Sequence, residues 1–151
     1  MHVSHHVVRF SDTDAAGILY FGSFATYFDE SFLSALRSQG IGWDEHKKYN
    51  FLLPIVEHKT RFFHPLKFGD EVSVYCWISR IGKTSFTSKH VMIHKETAKI
   101  CATGYITRVV VDYSQFVKSE IPSELLKILN HFSELPENLP DAVKSAFIDE
   151  V

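Results

Sequence analysis

Two carboxylates two residues apart, Asp12 and Asp14, head the segment Asp12-Thr13-Asp14-Ala15-Ala16-Gly17. The small residues and glycine behind them let the backbone come close to a ligand, and a helix starting just beyond offers N–H groups with no intrahelical acceptor. Such N–H groups, aided by the helix dipole, stabilise negative charge that develops on an oxygen. A carboxylate beside an oxyanion site suits attack on an ester or thioester carbonyl. The same carboxylates also suit capping of that helix, and spacing alone leaves both readings open.

Positioning this segment takes a strand before it and a helix after it. His5 to Ser11 is short, with β-branched Val7 and Val8, and reads as a strand running into a loop at Ser11-Asp12-Thr13-Asp14. From Gly22 to Gln39 the residues Phe24, Tyr27, Phe28, Phe32, Leu33, Ala35 and Leu36 recur at three and four, and Gly40 follows as a stop. This spacing predicts a helix of about five turns whose wide apolar face must be covered. Beyond a polar stretch at Asp44 to Asn50 the period becomes two. Val56, Thr60 and Phe62 oppose Glu57, Lys59 and Arg61 in the run Val56 to Phe63. Val72, Val74, Cys76 and Ile78 alternate with Ser73, Tyr75, Trp77 and Ser79, and two more strands are predicted over Ser85 to His94 and Lys99 to Val111, with a turn at Lys95 to Ala98. Four strands joined by short turns should pair in sequence as an antiparallel meander. Pro122 to His131 reads as a short helix. The end of the chain, with Pro136, Pro140 and an amphipathic piece from Asp141 to Ile148, reads as a surface appendage. The expectation is therefore α+β, one long helix with a sheet curled round it, over residues 1–132, with residues 133–151 as the appendage.

Composition narrows the partners. The 151 residues are 45% hydrophobic with a formal charge of -2, which suits a globular domain and argues against nucleic acid as the main partner. An aromatic content of 14%, thirteen of the residues being Phe, fits either core filling or a flat apolar ligand. Cys76 and Cys101 lie in β-like runs and form no redox or zinc pair, so a reducing, cytoplasmic setting is expected. The first twelve residues lack a secretory pattern, and the longest uncharged run, Ala15 to Phe28, falls short of the roughly 20 apolar residues a membrane span needs, so no membrane role is expected. Nine histidines invite a metal, but His90 and His94 are four apart on a strand, about 13 Å at roughly 3.3 Å per residue, and His58 and His64 are no closer. No metal is expected. Glu30, near the apolar face of the long helix, fits a helix–sheet ion pair or a second acid in the site.

Val8-Arg9-Phe10-Ser11-Asp12-Thr13-Asp14-Ala15-Ala16-Gly17-Ile18-Leu19-Tyr20-Phe21 closely resembles the signature of the 4-hydroxybenzoyl-CoA thioesterase family of hotdog-fold proteins. The resemblance continues at Pro65-Leu66-Lys67-Phe68-Gly69-Asp70 and at the basic turn Ile81-Gly82-Lys83-Thr84-Ser85-Phe86, and it covers about Val7 to Leu126. It implies a hotdog fold, a long central helix wrapped by a five-stranded antiparallel sheet. It also implies an acyl-CoA thioesterase that works as a homodimer or homotetramer with sites shared across the dimer.

Carried over by position, the resemblance makes Asp14 the catalytic carboxylate, as nucleophile or general base, and Asp12 a loop or capping residue. A free Asp has a pKa of about 3.9, and burial beside aromatic walls from Tyr20 and Phe21 would raise its basicity. The backbone N–H of Phe21 is implied to polarise the thioester oxygen, with Gly17 and Tyr20 at the substrate. Coenzyme A is part of the substrate rather than a cofactor. Its phosphates suit Gly82, Lys83, Thr84 and Ser85, with Arg80 nearby. These residues do not make a nucleotide-hydrolase phosphate loop, since position 77, where that motif needs Gly, is Trp. Phe21 and the Tyr20-Phe21 pair point toward aromatic acyl groups, such as hydroxybenzoyl or dihydroxynaphthoyl. The competing expectation is a hotdog protein that binds acyl-CoA, an acyl carrier or a partner without turnover. A dehydratase would need a His on the long helix, and Gly22 to Gln39 has none.

Overall fold

The structure, a computed structural model, describes residues 1–148. The last three residues of the expected appendage lie outside them. Five strands, β1 (His2–Val7), β2 (Ile55–Phe62), β3 (Glu71–Ile81), β4 (Ser85–His94) and β5 (Ile100–Val109), form one antiparallel sheet in the order β1-β3-β4-β5-β2. The helix α1 (Phe21–Ser38) lies across one face, as the resemblance implies, with α2 (Trp43–Lys48) and α3 (Ser123–His131) on the same side and α4 (Asp141–Ile148) on the other.

The alternation read along β3, β4 and β5 survives in three dimensions. Val72, Val74, Cys76 and Ile78, together with Phe86, Met92, Ala102 and Ile106, enter the core clusters that α1 closes with Phe24, Tyr27, Phe28, Phe32, Ala35 and Leu36. Gly104 of β5 is crowded between Lys59 of β2 and the Phe28 ring of α1. A Cβ there would collide with the Lys59 carbonyl and stand 3.0 Å from the Phe28 ring, so only glycine fits.

Polar residues under α1 are bonded into the same core. Arg108 of β5 is 1% exposed, donates to Asp29 of α1 and to Ser88 Oγ at 3.1 Å, and lies 4.1 Å over the Phe32 ring. His90 of β4 stacks on Phe28 at 5.1 Å and shares a 2.9 Å hydrogen bond with Ser88 Oγ. A buried ion pair adds little net stability, but breaking it strands a charge, so the Arg108–Asp29 pair fixes how α1 is rotated on the sheet.

Three expectations are corrected. The meander holds for β3, β4 and β5, whereas β2 pairs with β5 on the far side and never touches β3. The linker from Phe63 to Asp70 carries the chain from one side of the sheet to the other between them. The first strand runs over His2–Val7 and ends before Ser11, where residues Phe10–Asp12 form a 3-10 turn. The polar stretch around Asp44 contains α2, whose start is closed by the Glu45 carboxylate accepting from the Gly42 N–H at 3.0 Å.

The other face of the sheet carries Trp77, Val91 and Ile93. They are covered by Val143 and Ala146 of α4, so this piece of the expected appendage is docked on the sheet. Among the described residues no helix is long and apolar enough to cross a membrane.

Candidate active site

The loop between β1 and α1 is laid against the linker before β3. Val8 N–H donates to Asp70 O at 2.9 Å and Gly69 N–H to Val8 O at 2.9 Å, while Leu19 N–H donates to Leu66 O at 2.7 Å. Two of the three motif segments therefore meet. Gly69, at φ +87, and the Asp70 carboxylate, which accepts from Lys67 N–H at 2.8 Å, make the tight turn that allows it.

Asp12 and Asp14 part company in this loop. The Asp12 carboxylate accepts from the Tyr27 hydroxyl at 2.6 Å and from Arg9 Nε at 3.0 Å, and its carbonyl accepts from Tyr20 N–H at 2.9 Å and Ser23 Oγ at 3.2 Å. The Tyr27 hydroxyl, with Arg9 behind it, holds the Asp12 carboxyl below its ordinary pKa. Asp12 is thus the pin of the loop; of the two roles expected for it the structure shows the loop one, since its carboxylate caps no helix N–H and the N-cap of α1 is Tyr20. Asp14 sits in a turn closed by Gly17 at φ +77, and its Oδ1 accepts from Ala16 N–H at 2.8 Å and Ile18 N–H at 3.4 Å. Those two bonds orient the carboxylate and leave Oδ2 without an acceptor role among the described residues.

Oδ2 has a cleft to act in. Asp14 lines a cavity of about 380 Å³ whose walls are Phe21 and Phe24 of α1, Phe62 at the end of β2, and Phe63 and Pro65 just after it. Ile18 and Leu19 complete its apolar lining, and His64 is the remaining wall. Phe24 and Phe62 meet edge to face at 5.1 Å. Phe21, which lines this cleft, holds the first helical position, and its N–H donates to no acceptor among the described residues. A carboxylate oxygen, an aromatic slot and an unpaired N–H at a helix start are the parts needed to hold and attack a planar thioester.

The expected walls need correcting. Asp14 is exposed in the single chain, so the enclosure expected around it is not present there. Tyr20 is half-exposed, packs its ring 4.5 Å from that of Phe21, and does not line the cleft. Gly17 shapes the Asp14 turn and does not line it either. Glu30 pairs with Arg37 on its own helix at 3.7 Å and has no ion pair to the sheet among the described residues, although its charge acts on His6 of β1.

The basic turn between β3 and β4 is well formed but distant. Gly82 N–H donates to Ser85 O at 2.8 Å, Arg80 Nη2 to Ser85 Oγ at 3.1 Å, and Thr84 O accepts from Val110 N–H at 2.7 Å. Lys83 Nζ lies 3.3 Å from Glu120 Oε1, both ends exposed. Arg80, Gly82, Lys83, Thr84 and Ser85 are thus together, but at the opposite end of β3 from Asp14. The ten steps from Glu71 to Ile81, at about 3.3 Å each, separate them by on the order of 30 Å. Among the described residues no three His, Cys, Asp or Glu side chains converge as metal ligands do.

Phe62, Phe63, His64 and Pro65 are site residues the sequence reading did not single out. A regular strand would point successive side chains to opposite faces. Here the N–H groups of Phe63 and His64 both donate to Cys101 O, at 2.9 and 3.2 Å, which bends the chain and turns neighbouring side chains into one cleft. Pro65, which cannot continue the ladder, was the available sign that the strand ends there.

Residues 8–129 match the thioesterase-like superfamily. A 1,4-dihydroxy-2-naphthoyl-CoA hydrolase of Nostoc punctiforme is 29% identical over 127 residues, covering 83% of this chain and 84% of that protein. A solved gentisyl-coenzyme A thioesterase is 31% identical, with a TM-score of 0.75 over 84% of this chain and 98% of that one. A 1,4-dihydroxy-2-naphthoyl-CoA thioesterase from Synechocystis, 23% identical, superposes with a TM-score of 0.80 over 89% of this chain and 98% of that one, and so shares the hotdog fold.

Proposed function

The chain belongs to the thioesterase-like superfamily, and from that premise we propose that it is a thioester hydrolase that cleaves an aromatic acyl-CoA to the free acid and coenzyme A. The observation that carries this reading is the placement of Asp14 on a cleft walled by Phe21, Phe24, Phe62 and Phe63. The curated and solved relatives named for dihydroxynaphthoyl-CoA and gentisyl-CoA support an aromatic acyl group. Within the superfamily, the segment from Val8 to Phe21 and the Pro65 to Asp70 turn support a place beside the 4-hydroxybenzoyl-CoA thioesterases.

The aryl ring enters the phenylalanine slot and sets the thioester carbonyl against Asp14. The carboxylate attacks that carbon itself, or takes a proton from the water that does. Negative charge moves onto the carbonyl oxygen, where the Phe21 N–H and the start of the α1 dipole receive it. The carbon–sulfur bond then breaks, and coenzyme A leaves as thiolate. The acid leaves after water has added, directly or to an acyl-aspartate. No step needs a metal or redox group.

The enzyme acts as a dimer in this reading. One edge of β2 is bonded to β5 and the other has no strand beside it among the described residues, and Val56, Phe62 and Phe63 are exposed there. Bare edges of this kind invite a second strand. If two copies of β2 pair antiparallel, the Ile55 end of one lies beside the Phe62 end of the other. The Ile55 end pairs with Arg108, next to the basic turn, so the turn of the partner copy approaches the Asp14 cleft. That relation would bring the coenzyme phosphates to Arg80, Gly82, Lys83, Thr84 and Ser85 of one copy while the thioester meets Asp14 of the other. Buried free thiols at Cys76 and Cys101 suit the reducing cytoplasm.

Release of thiol from aromatic, short and long aliphatic CoA thioesters, with wild type beside Asp14→Asn, tests the assignment. Aromatic thioesters should be cleaved by wild type and at least about a hundredfold more slowly by Asp14→Asn, with substrate binding retained. Absence of cleavage by wild type across the series would overturn the hydrolase reading in favour of an acyl-CoA-binding protein.

A further inference from the structure

We infer that His64 reads a hydroxyl on the acyl group, so that the cleft selects hydroxylated aryl thioesters over bare ones. The inference rests on the thioesterase reading of the same cleft and assigns its selectivity to one side chain.

Of the residues that line the cleft, only Asp14 and His64 carry polar side chains. In that reading Asp14 is committed to the carbonyl, its Oδ1 already bonded to the Ala16 and Ile18 N–H groups. His64 is half-buried, and its imidazole makes no hydrogen bond, ion pair or ring contact among the described residues. Its backbone is firmly placed, because its N–H and that of Phe63 share the Cys101 carbonyl. The bend made there brings His64 onto the same wall as Phe62 and Phe63. Its ring nitrogens stay within reach of solvent in the free protein, and an aryl group that fills the cleft shuts that water out, so the imidazole then needs its partner on the ligand.

The chemistry of that partner follows from the ring. Neutral imidazole has one donor and one acceptor nitrogen, and a phenolic hydroxyl matches it in either direction. A bare ring in the same slot gains the aromatic contacts but leaves the imidazole unpaired. Sites that bond a substrate hydroxyl reject the analogue lacking it far more strongly than an apolar pocket rejects an extra methylene. Because His64 is only half-buried, at least about a tenfold preference is expected rather than the extreme values of closed sites.

The test compares kcat/KM for benzoyl-CoA and for 2-, 3- and 4-hydroxybenzoyl-CoA in wild type, His64→Leu and His64→Gln, each protein serving as its own control through the ratio. Wild type should prefer at least one hydroxylated isomer about tenfold over benzoyl-CoA. His64→Leu should bring that ratio to about one, and His64→Gln, which can still exchange a hydrogen bond, should keep part of it. A ratio unchanged in His64→Leu, or no preference in wild type, overturns the inference while leaving the hydrolase intact. Failure of wild type to cleave any of the four overturns the reading on which the inference rests.

Discussion

The Tyr27 hydroxyl donates to the Asp12 carboxylate at 2.6 Å, across fifteen residues of chain, and thereby fastens the loop that carries Asp14 to the first turns of α1. Removing that hydroxyl alone, in Tyr27→Phe, should cost about 1.5 to 3 kcal/mol in urea unfolding, as expected for a hydrogen bond to a charged group. The same bond depresses the Asp12 pKa, so its contribution is complete above the unfolded carboxylate value and is lost as pH falls through the lower folded value. Wild type and Tyr27→Phe should therefore differ in stability at neutral pH and converge in strong acid. Equal stability at pH 7 would show that the bond does not fasten the loop.

Lys83 should act on substrate affinity alone. Lys83→Ala is expected to raise KM several-fold with little change in kcat, and the difference should shrink at high salt because an exposed phosphate contact is screened. Glu120, 3.3 Å from Lys83 Nζ, competes with phosphate for the same ammonium. Glu120→Gln should move KM in the opposite direction. Steady-state kinetics at two ionic strengths decides both.

Burial and the neighbouring Arg108 hold the His90 pKa well below its ordinary value, so the folded protein keeps this ring neutral. The unfolded chain binds the proton below pH about 6.5, which makes stability fall as pH drops from there toward the folded value, by about 1 kcal/mol over the first unit for one proton. His90→Gln keeps a bonding partner for Ser88 and does not titrate. Its stability should be lower at pH 7.5 but flatter between pH 7 and 5.5 in urea unfolding. Parallel curves for the two proteins would count against His90.

Val143 of α4 is buried against the face that carries Trp77 and Val91. Val143→Asp puts a charge there, and the helix should release rather than bury it. The penalty is then limited to the lost apolar contact, about 2 kcal/mol or less. Trp77 fluorescence should shift to the red while thiol release persists. A coupled loss of activity would mean that α4 supports the site.

Much of this was legible from the residues because local period and tertiary burial agree. The spacing of Phe24, Phe28, Phe32, Leu36 and their neighbours places α1 within a residue of its observed ends, and the strand from Ser85 to His94 is as read. What failed is what period cannot carry. β2 reads as a strand, but no residue in it states that its neighbour is β5 and not β3, a choice made by the linker from Phe63 to Asp70. α2 is six residues long and mostly charged, and its one mark was Glu45 three residues after Gly42. The burial of Arg108 depends on Asp29, seventy-nine residues away. The loop that carries Asp14 was legible through Asp12 to Gly17, whereas the wall from Phe62 to Pro65 follows from Cys101 O accepting two N–H groups in succession.

The distance between Asp14 and Lys83 within one chain has a genetic consequence. Where each site takes its carboxylate from one copy and its cation from the other, an Asp14→Asn chain and a Lys83→Ala chain can repair each other. Their hybrid contains one site with both native residues and one with neither. Two preparations that are each feeble at low substrate should regain turnover on being unfolded together and refolded, approaching half the wild-type rate in the hybrid fraction. The defects are recessive to one another only if the working unit is the pair.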